Sequence, residues 1–223
     1  MKITKKLITE SPWYIVVNKD EMTRLNSRSG GIFTALSNCV IDQGGIVYGS
    51  ALTSDFVAEH IRVTNKVDLN ALCGSKYVQS KLGNTFIDVL KDLEQGMFVL
   101  FSGTPCQVSA IKTFLTIKNE KLLKNLLLVE IICHGVPSPK IWKSYVQWVS
   151  DKYKKKVSKV NFRNKTDFGW AEHVETMYLD DGTTYNSKYF TYLFYRGFIL
   201  RPSCYNCKCK KYYSSDIIIG DCW

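Results

Sequence analysis

The chain lacks any uninterrupted apolar run near the roughly 18 residues needed to span a bilayer. Its N-terminus, MKITKKLITESPWYIVV, lacks an apolar stretch of signal-peptide length ending in a small-residue cleavage site. A cytosolic protein with no membrane span is therefore expected. Disulfides are rare in that compartment, so the eight cysteines read as metal ligands or redox thiols rather than as staples. Acidic residues are also scarce: 20 Asp and Glu against 30 Lys and Arg leave a net charge of +10. The surplus is concentrated in runs such as KYKKKVSK and KCKKYY. Such a balance suits nucleic acid, but lysine-rich solvated faces are the more common cause. Phosphate-bearing cofactors and acidic protein partners favour the same surface. Nucleic acid is not the expected partner.

There is also no internal repeat, low-complexity tract or clear linker, so residues 1–223 read as a single composite domain. Apolar residues make up 45% of the chain and aromatics 13%, enough for a substantial core. Apolar positions at Ile32, Phe33, Leu36 and Val40 predict a helix between SRSGG and DQGG. GIVYGSAL and FVAEHIRV read as two strands of a hairpin. Next come FIDVLKDLEQG as a helix, MFVLFSG as a buried strand and PCQVSAIKTFLTIK as a helix with proline in its first turn. LLLVEIICHG then reads as a second buried strand, and SPKIWKSYVQWVSDKYK as a helix opened by Ser138 and Pro139. Strand, helix, strand, helix is the pattern of a parallel sheet. KVNFR and HVETMYL, with a turn at DDGT, predict antiparallel strands. YFTYLFYRGFIL predicts a helix and DIIIGD a last buried strand. The expected fold is α/β: a mixed sheet with a parallel βαβ core, flanking helices, an antiparallel insertion over 157–190, and a cysteine loop plus last strand over 201–223.

A second CxxC, the usual mark of a zinc ribbon, is missing. The one present, CYNC, supplies Cys204 and Cys207. Cys106 follows a strand in SGTPC, and Cys133 ends a strand just before HGVPSP. In open α/β sheets ligands bind outside the carboxyl ends of the strands, so Cys106 and Cys133 are expected to face one pocket. CYNC would complete a set of four there. Soft thiolates select an iron–sulfur centre or zinc, and a metal-free redox dithiol stays open as well. Cys39 and Cys73 read as packing thiols. A competing enzyme reading makes Cys106, at a helix N-terminus, a nucleophile with His134 as its base. His60 reads as structural, and His173 has no evident partner.

GxGxxG and Walker loops are absent too, yet SRSGG before a helix offers backbone N–H groups and a helix N-terminus suited to a phosphate. An ordinary Ser-capped helix is the plainer alternative. CGSKYVQS, residues 73–80, offers hydroxyls, an ammonium, a phenol and an amide, which suits an anionic ligand bearing an aromatic ring. Its plain alternative is a polar loop leading into the next helix.

Taken in order, SRSGGIFTAL, GGIVYG, GSKYVQS, VLFSGTPCQV, ICHGVPSP, FRNKTDFGW, RPSCYNC and SDIIIGDCW resemble the coenzyme F420 hydrogenase/dehydrogenase beta-subunit family. The resemblance runs from about Pro12 to Trp223. It implies a flavoprotein that binds FAD and a [4Fe-4S] cluster and passes electrons between cluster, flavin and a soluble acceptor. In hydrogenase and formate dehydrogenase members that acceptor is coenzyme F420, while some bacterial members accompany polysaccharide biosynthesis loci. By position, Cys106, Cys133, Cys204 and Cys207 look like the cluster ligands. Ser27, Ser29, Gly30, Gly31, Ser75, Lys76, Tyr77 and Gln79 look like flavin contacts. A redox partner protein or ferredoxin and a small-molecule acceptor are the implied partners. The chain departs from the family pattern in starting after the place of an N-terminal ferredoxin-like module and in stopping at Trp223. Cys209 and Cys222 stand where aromatic residues are frequent in the family, so either could displace an assigned ligand. The segment between Cys207 and Asp216 also lacks the arginine expected there. A short member that has become a zinc-stabilised or metal-free binding domain is the alternative function.

Overall fold

The computed structural model describes residues 12–221. In chain order its elements are α1 (Glu21–Asn26), α2 (Ile32–Asp42), β1 (Ile46–Leu52), β2 (Ala58–Val63), α3 (Lys66–Leu69) and α4 (Thr85–Glu94). These are followed by β3 (Val99–Gly103), α5 (Pro105–Asn119), β4 (Leu126–Ile131), α6 (Pro139–Tyr153), β5 (Val157–Asn161) and α7 (Lys165–Phe168). The chain ends through β6 (Glu175–Leu179), β7 (Thr184–Ser187), α8 (Tyr189–Tyr195), α9 (Pro202–Tyr205) and β8 (Ile217–Ile219).

Five strands form the main sheet in the order β2-β1-β3-β4-β8, and β5-β6-β7 form a separate antiparallel sheet. β1, β3, β4 and β8 run parallel, while β2 folds back antiparallel on β1. The fold class is thus the expected one, mixed α/β with a parallel centre and an antiparallel insertion. Side chains alternate across a strand, and this splits the apolar runs between two layers. Ile46, Tyr48, Val99, Phe101, Leu126 and Leu128 face α4 and α5. Val47, Ala51, Leu100, Leu127 and Val129 face α2 and α3. Burial on both faces explains why these strands read as continuous apolar segments. A third core joins α6 to the small sheet and α8. In it Trp142 packs against Phe162 and Phe190 and its indole N–H donates to Phe56 O at 2.9 Å.

Helix starts follow local chemistry. Thr104 and Gln107 form a capping box at α5 with Pro105 in the first turn, and the Ser138 hydroxyl accepts from Lys140 N at α6. α2 is different: Gly31, in the left-handed conformation at φ 81°, holds its N-cap with no side-chain bond, so glycine does what the Ser-capped alternative gave to serine. The helix expected over YFTYLFYRGFIL stops at Tyr195. There Gly197 N bonds Phe194 O and Phe198 N bonds Leu193 O, with Gly197 at φ 78°, a Schellman closure. The last strand is only half-buried, because β8 pairs with β4 alone and forms the sheet edge. β2 begins at Ala58 rather than Phe56, which takes a left-handed turn conformation at φ 58°.

Candidate functional site

β3 and β4 are parallel neighbours, so the loops that leave their carboxyl ends emerge side by side. Cys106 sits exposed in the first turn of α5 with its Sγ 3.2 Å from Thr104 Oγ1. Cys133, just beyond β4, is half-buried. Burial pushes its thiol up to about 11; the Gly135 backbone N–H opposes this, the Cys106 thiol adds to it, the Lys210 ammonium opposes it and the Cys204 thiol adds to it. The C-terminal loop is fastened over these residues at several points. Arg201 N bonds Val136 O at 3.0 Å, and Lys210 Nζ donates to His134 O at 2.6 Å and to Cys204 O at 3.4 Å. Gly135 permits the approach: a methyl added there would stand 2.7 Å from Leu200 Cδ1 and 3.3 Å from Cys204 Cβ.

Cys209 joins the group. Its thiol is raised by burial first and then by Cys207 and Cys106. Cys106, Cys133, Cys204, Cys207 and Cys209 are all free thiols of one neighbourhood, while Cys222 lies outside the described residues. As a donor set they suit a soft-metal centre in kind and in number. They do not close on a common point, for among the described residues no group of three or more His, Cys, Asp or Glu side chains stands in metal-holding geometry. Cys73 lies between Thr34 of α2 and Leu69 O of α3, and Cys39 accepts from Gln43 Nε2 at 3.2 Å at the end of α2. Among the described residues no hydrogen bond joins His134 to Cys106. The His134 ring packs edge-on against Phe194 at 5.3 Å.

A second feature forms where three loops meet. A pocket of about 160 Å³ is lined by Ser27 and Arg28 from the loop before α2, by Gly74 and Ser75, and by Asn161, Arg163, Lys165 and Thr166 at the β5–α7 junction. The Ser27 hydroxyl donates to Thr23 O at 2.6 Å, which turns α1 into the loop. Gly30 lets the chain at Val16 pass close by, since a methyl there would stand 2.4 Å from Val16 O. Arg163 is buried and its Nη2 donates to Trp170 O at 2.8 Å. Lys165 Nζ donates to Arg24 O at 3.1 Å and to Ser27 O, and lies 3.8 Å over the Trp170 ring. Burial, and then the Arg28 guanidinium, push this ammonium down to about 8, while Asp221 opposes them. Three cations thus meet in one pocket whose chemistry suits a phosphate or diphosphate.

Of the expected flavin contacts, Ser27 and Ser75 line this pocket. Lys76 turns instead into its own loop, donating to Ala71 O at 2.9 Å and Cys73 O at 2.8 Å, and burial pushes it down to about 8. Tyr77 stacks on Phe194 at 4.9 Å with its hydroxyl 3.3 Å from that of Tyr195. Gln79 is tied through its backbone N–H to Pro137 O at 3.1 Å. Ser29, Gly30 and Gly31 form the turn that starts α2. Arg163 and Lys165 do not stand out in the sequence, although FRNK, two cations in a turn after a strand, carries the signal. Tyr195 stands at the centre of an aromatic cluster. Tyr195 contacts Tyr77, Phe194 and His134, with His173 edge-on at 4.8 Å. His60 is structural in its contacts: Nε2–H donates to Ser102 O at 3.0 Å, Nδ1 bonds the Ser80 hydroxyl, and burial pushes it down to about 4.

The family model for the C-terminal part of the coenzyme F420 hydrogenase/dehydrogenase beta subunit matches residues 96–223, more than half of the chain. The chain belongs to this family. The matched stretch of this beta-subunit family member runs from just before β3 to the last residue. It includes Cys106, Cys133, Cys204, Cys207, Arg163 and Lys165, whereas Ser27 and Ser75 precede it. A chain in the xenon-derivatised F420-reducing [NiFe] hydrogenase complex from Methanosarcina barkeri is similar in fold, with a TM-score of 0.58 at 17% identity. The match covers 87% of this chain and 66% of that one. No curated protein matches. Among the described residues no helix is long and apolar enough to cross a membrane.

Proposed function

We propose that this family member is an iron–sulfur flavoprotein oxidoreductase that passes electrons between a [4Fe-4S] cluster, FAD and a soluble acceptor, F420 or another. The observation that carries the reading is the presence of two environments in one fold: a neighbourhood of five thiols and a three-cation pocket. In this reading Cys106, Cys133, Cys204 and Cys207 hold the cluster, and Lys210 keeps the CYNC loop against the end of β4. Arg28, Arg163 and Lys165 hold the diphosphate of the flavin cofactor, with Ser27 and Ser75 as hydrogen-bonding wall. A bound flavin supplies the exchange between two-electron and one-electron partners. Residues 1–223 act as one composite unit, because the pocket draws its wall from segments far apart in the sequence.

The open arrangement of the thiols favours one other reading, a zinc-stabilised or metal-free binding domain of the same fold. Anaerobic purification, an absorption spectrum and metal analysis separate the two. About four irons per chain with bound flavin is the expected result. One zinc without iron, or colourless protein after reconstitution, supports the binding domain instead.

A further inference from the structure

We infer that the surface around the cysteines is the docking face for a small acidic electron-carrier protein. From Arg196 to Ser215 the chain carries Arg196, Arg201, Lys208, Lys210 and Lys211 and no Asp or Glu. This segment is laid over the ends of β3 and β4 as one layer. Tyr205 Oη donates to Gly197 O, Lys210 donates to His134 O, and Lys112 of α5 donates to Ser214 O. Glu130 of β4 is buried, and Asp216 accepts from Leu128 N at 2.9 Å, locking β8 to β4.

Large rings stand exposed among the cations. Phe198 is 68% exposed, Tyr205 59%, Tyr212 74% and Tyr213 67%. Exposed aromatics inside a ring of charge are the usual makings of a protein interface, with the rings as anchors and the charges setting encounter rate and partner choice. Other lysine runs of the chain, such as Lys154–Lys156, lack that combination with the thiols. Cys106 is exposed within this face, so a docked carrier would bring its centre close to the thiol group. That the occupant is an electron carrier rests on the proposed function; that it is an acidic protein rests on the charge and the exposed rings alone.

The test uses the full chain as purified and an acidic plant-type [2Fe–2S] ferredoxin as probe, with basic cytochrome c as the control. Dissociation constants are measured at about 20 mM and about 300 mM salt. We expect ferredoxin binding that weakens about tenfold or more with salt, and about tenfold or more in a Lys208→Glu/Lys211→Glu variant. A Lys118→Glu/Lys124→Glu variant, charged elsewhere, should bind normally, and circular dichroism should show both variants folded. Ferredoxin binding that ignores salt and the first variant, or equal binding of cytochrome c, overturns the inference. So does tighter binding of duplex DNA lost in the same variant, which would assign the face to nucleic acid. Charge-dependent ferredoxin binding by a chain without iron or flavin would leave the docking face standing and end the electron-transfer reading. Loaded protein that does not bind would do the reverse.

Discussion

Arg28 Nη2 lies 2.5 Å from Asp221 Oδ2, so the loop before α2 is tied to the segment that follows β8. The pair places one carboxylate beside a pocket that also holds Arg163 and Lys165. Asp221 counters the burial and the Arg28 charge that depress both Lys165 and His173. It is therefore a resident counter-charge with which any diphosphate entering the pocket would compete. Asp221→Asn should tighten ADP, used as the probe, by about fivefold, while costing stability about 1 kcal/mol or less for a partly exposed pair. Weaker ADP binding in a calorimetric titration would contradict this.

The same pocket sets a pH dependence. Lys165 sits at about 8 against an ordinary 10.5, so its cationic form is disfavoured in the folded chain. Between those values the unfolded chain holds the extra proton, so this group makes stability rise with pH across that window. Lys76, also at about 8 from burial, acts in the same direction. Anion binding runs the other way and falls as pH climbs through 8, since neutral Lys165 no longer attracts phosphate. ADP titrations from about pH 7 to about pH 9 should show this decline in the wild type and a flatter profile in Lys165→Met. Identical profiles would remove Lys165 from the pocket's chemistry.

Much of the architecture is legible in the sequence because it is local. Apolar runs mark β3 and β4, and Pro105, Ser138 and Pro139 mark the starts of α5 and α6. The cysteine neighbourhood is legible through a topological rule, since loops that follow parallel neighbours emerge together. The pocket is legible only in part: Ser27 and Ser75 stand in loops that the sequence singles out, but Arg163 and Lys165 reach them only through tertiary packing. Residue type alone makes Tyr77 and Lys76 look ligand-facing. Packing on Phe194 and two nearby carbonyls claim them instead.

The third core depends on one side chain. Trp142 is 2% exposed, packs on Phe162 and Phe190, and donates to Phe56 O. Trp142→Ala should cost about 3–5 kcal/mol by denaturant unfolding. Trp142→Phe should cost clearly less, because it keeps most of the packing and gives up chiefly the hydrogen bond to Phe56 O, worth about 1 kcal/mol. Equal losses in the two variants would show that packing at this position carries little of the effect.

Gly135 is the corresponding test of the cysteine loop. At φ 150°, with Leu200 and Cys204 against its Cα, it has no room for a side chain. Gly135→Ala should cost about 1–3 kcal/mol of local strain and lower metal retention by displacing Cys204. Unchanged metal content at full stability would show that the Gly135 contact does not position the loop.

The most direct measurement of the central claim is iron and flavin content per chain after anaerobic reconstitution, compared between wild type, Cys204→Ser and Cys39→Ser. About four irons and bound flavin are expected in the wild type and in Cys39→Ser, with iron lost in Cys204→Ser. Iron-free wild-type protein, or a Cys204→Ser variant that keeps its full iron, would contradict that claim.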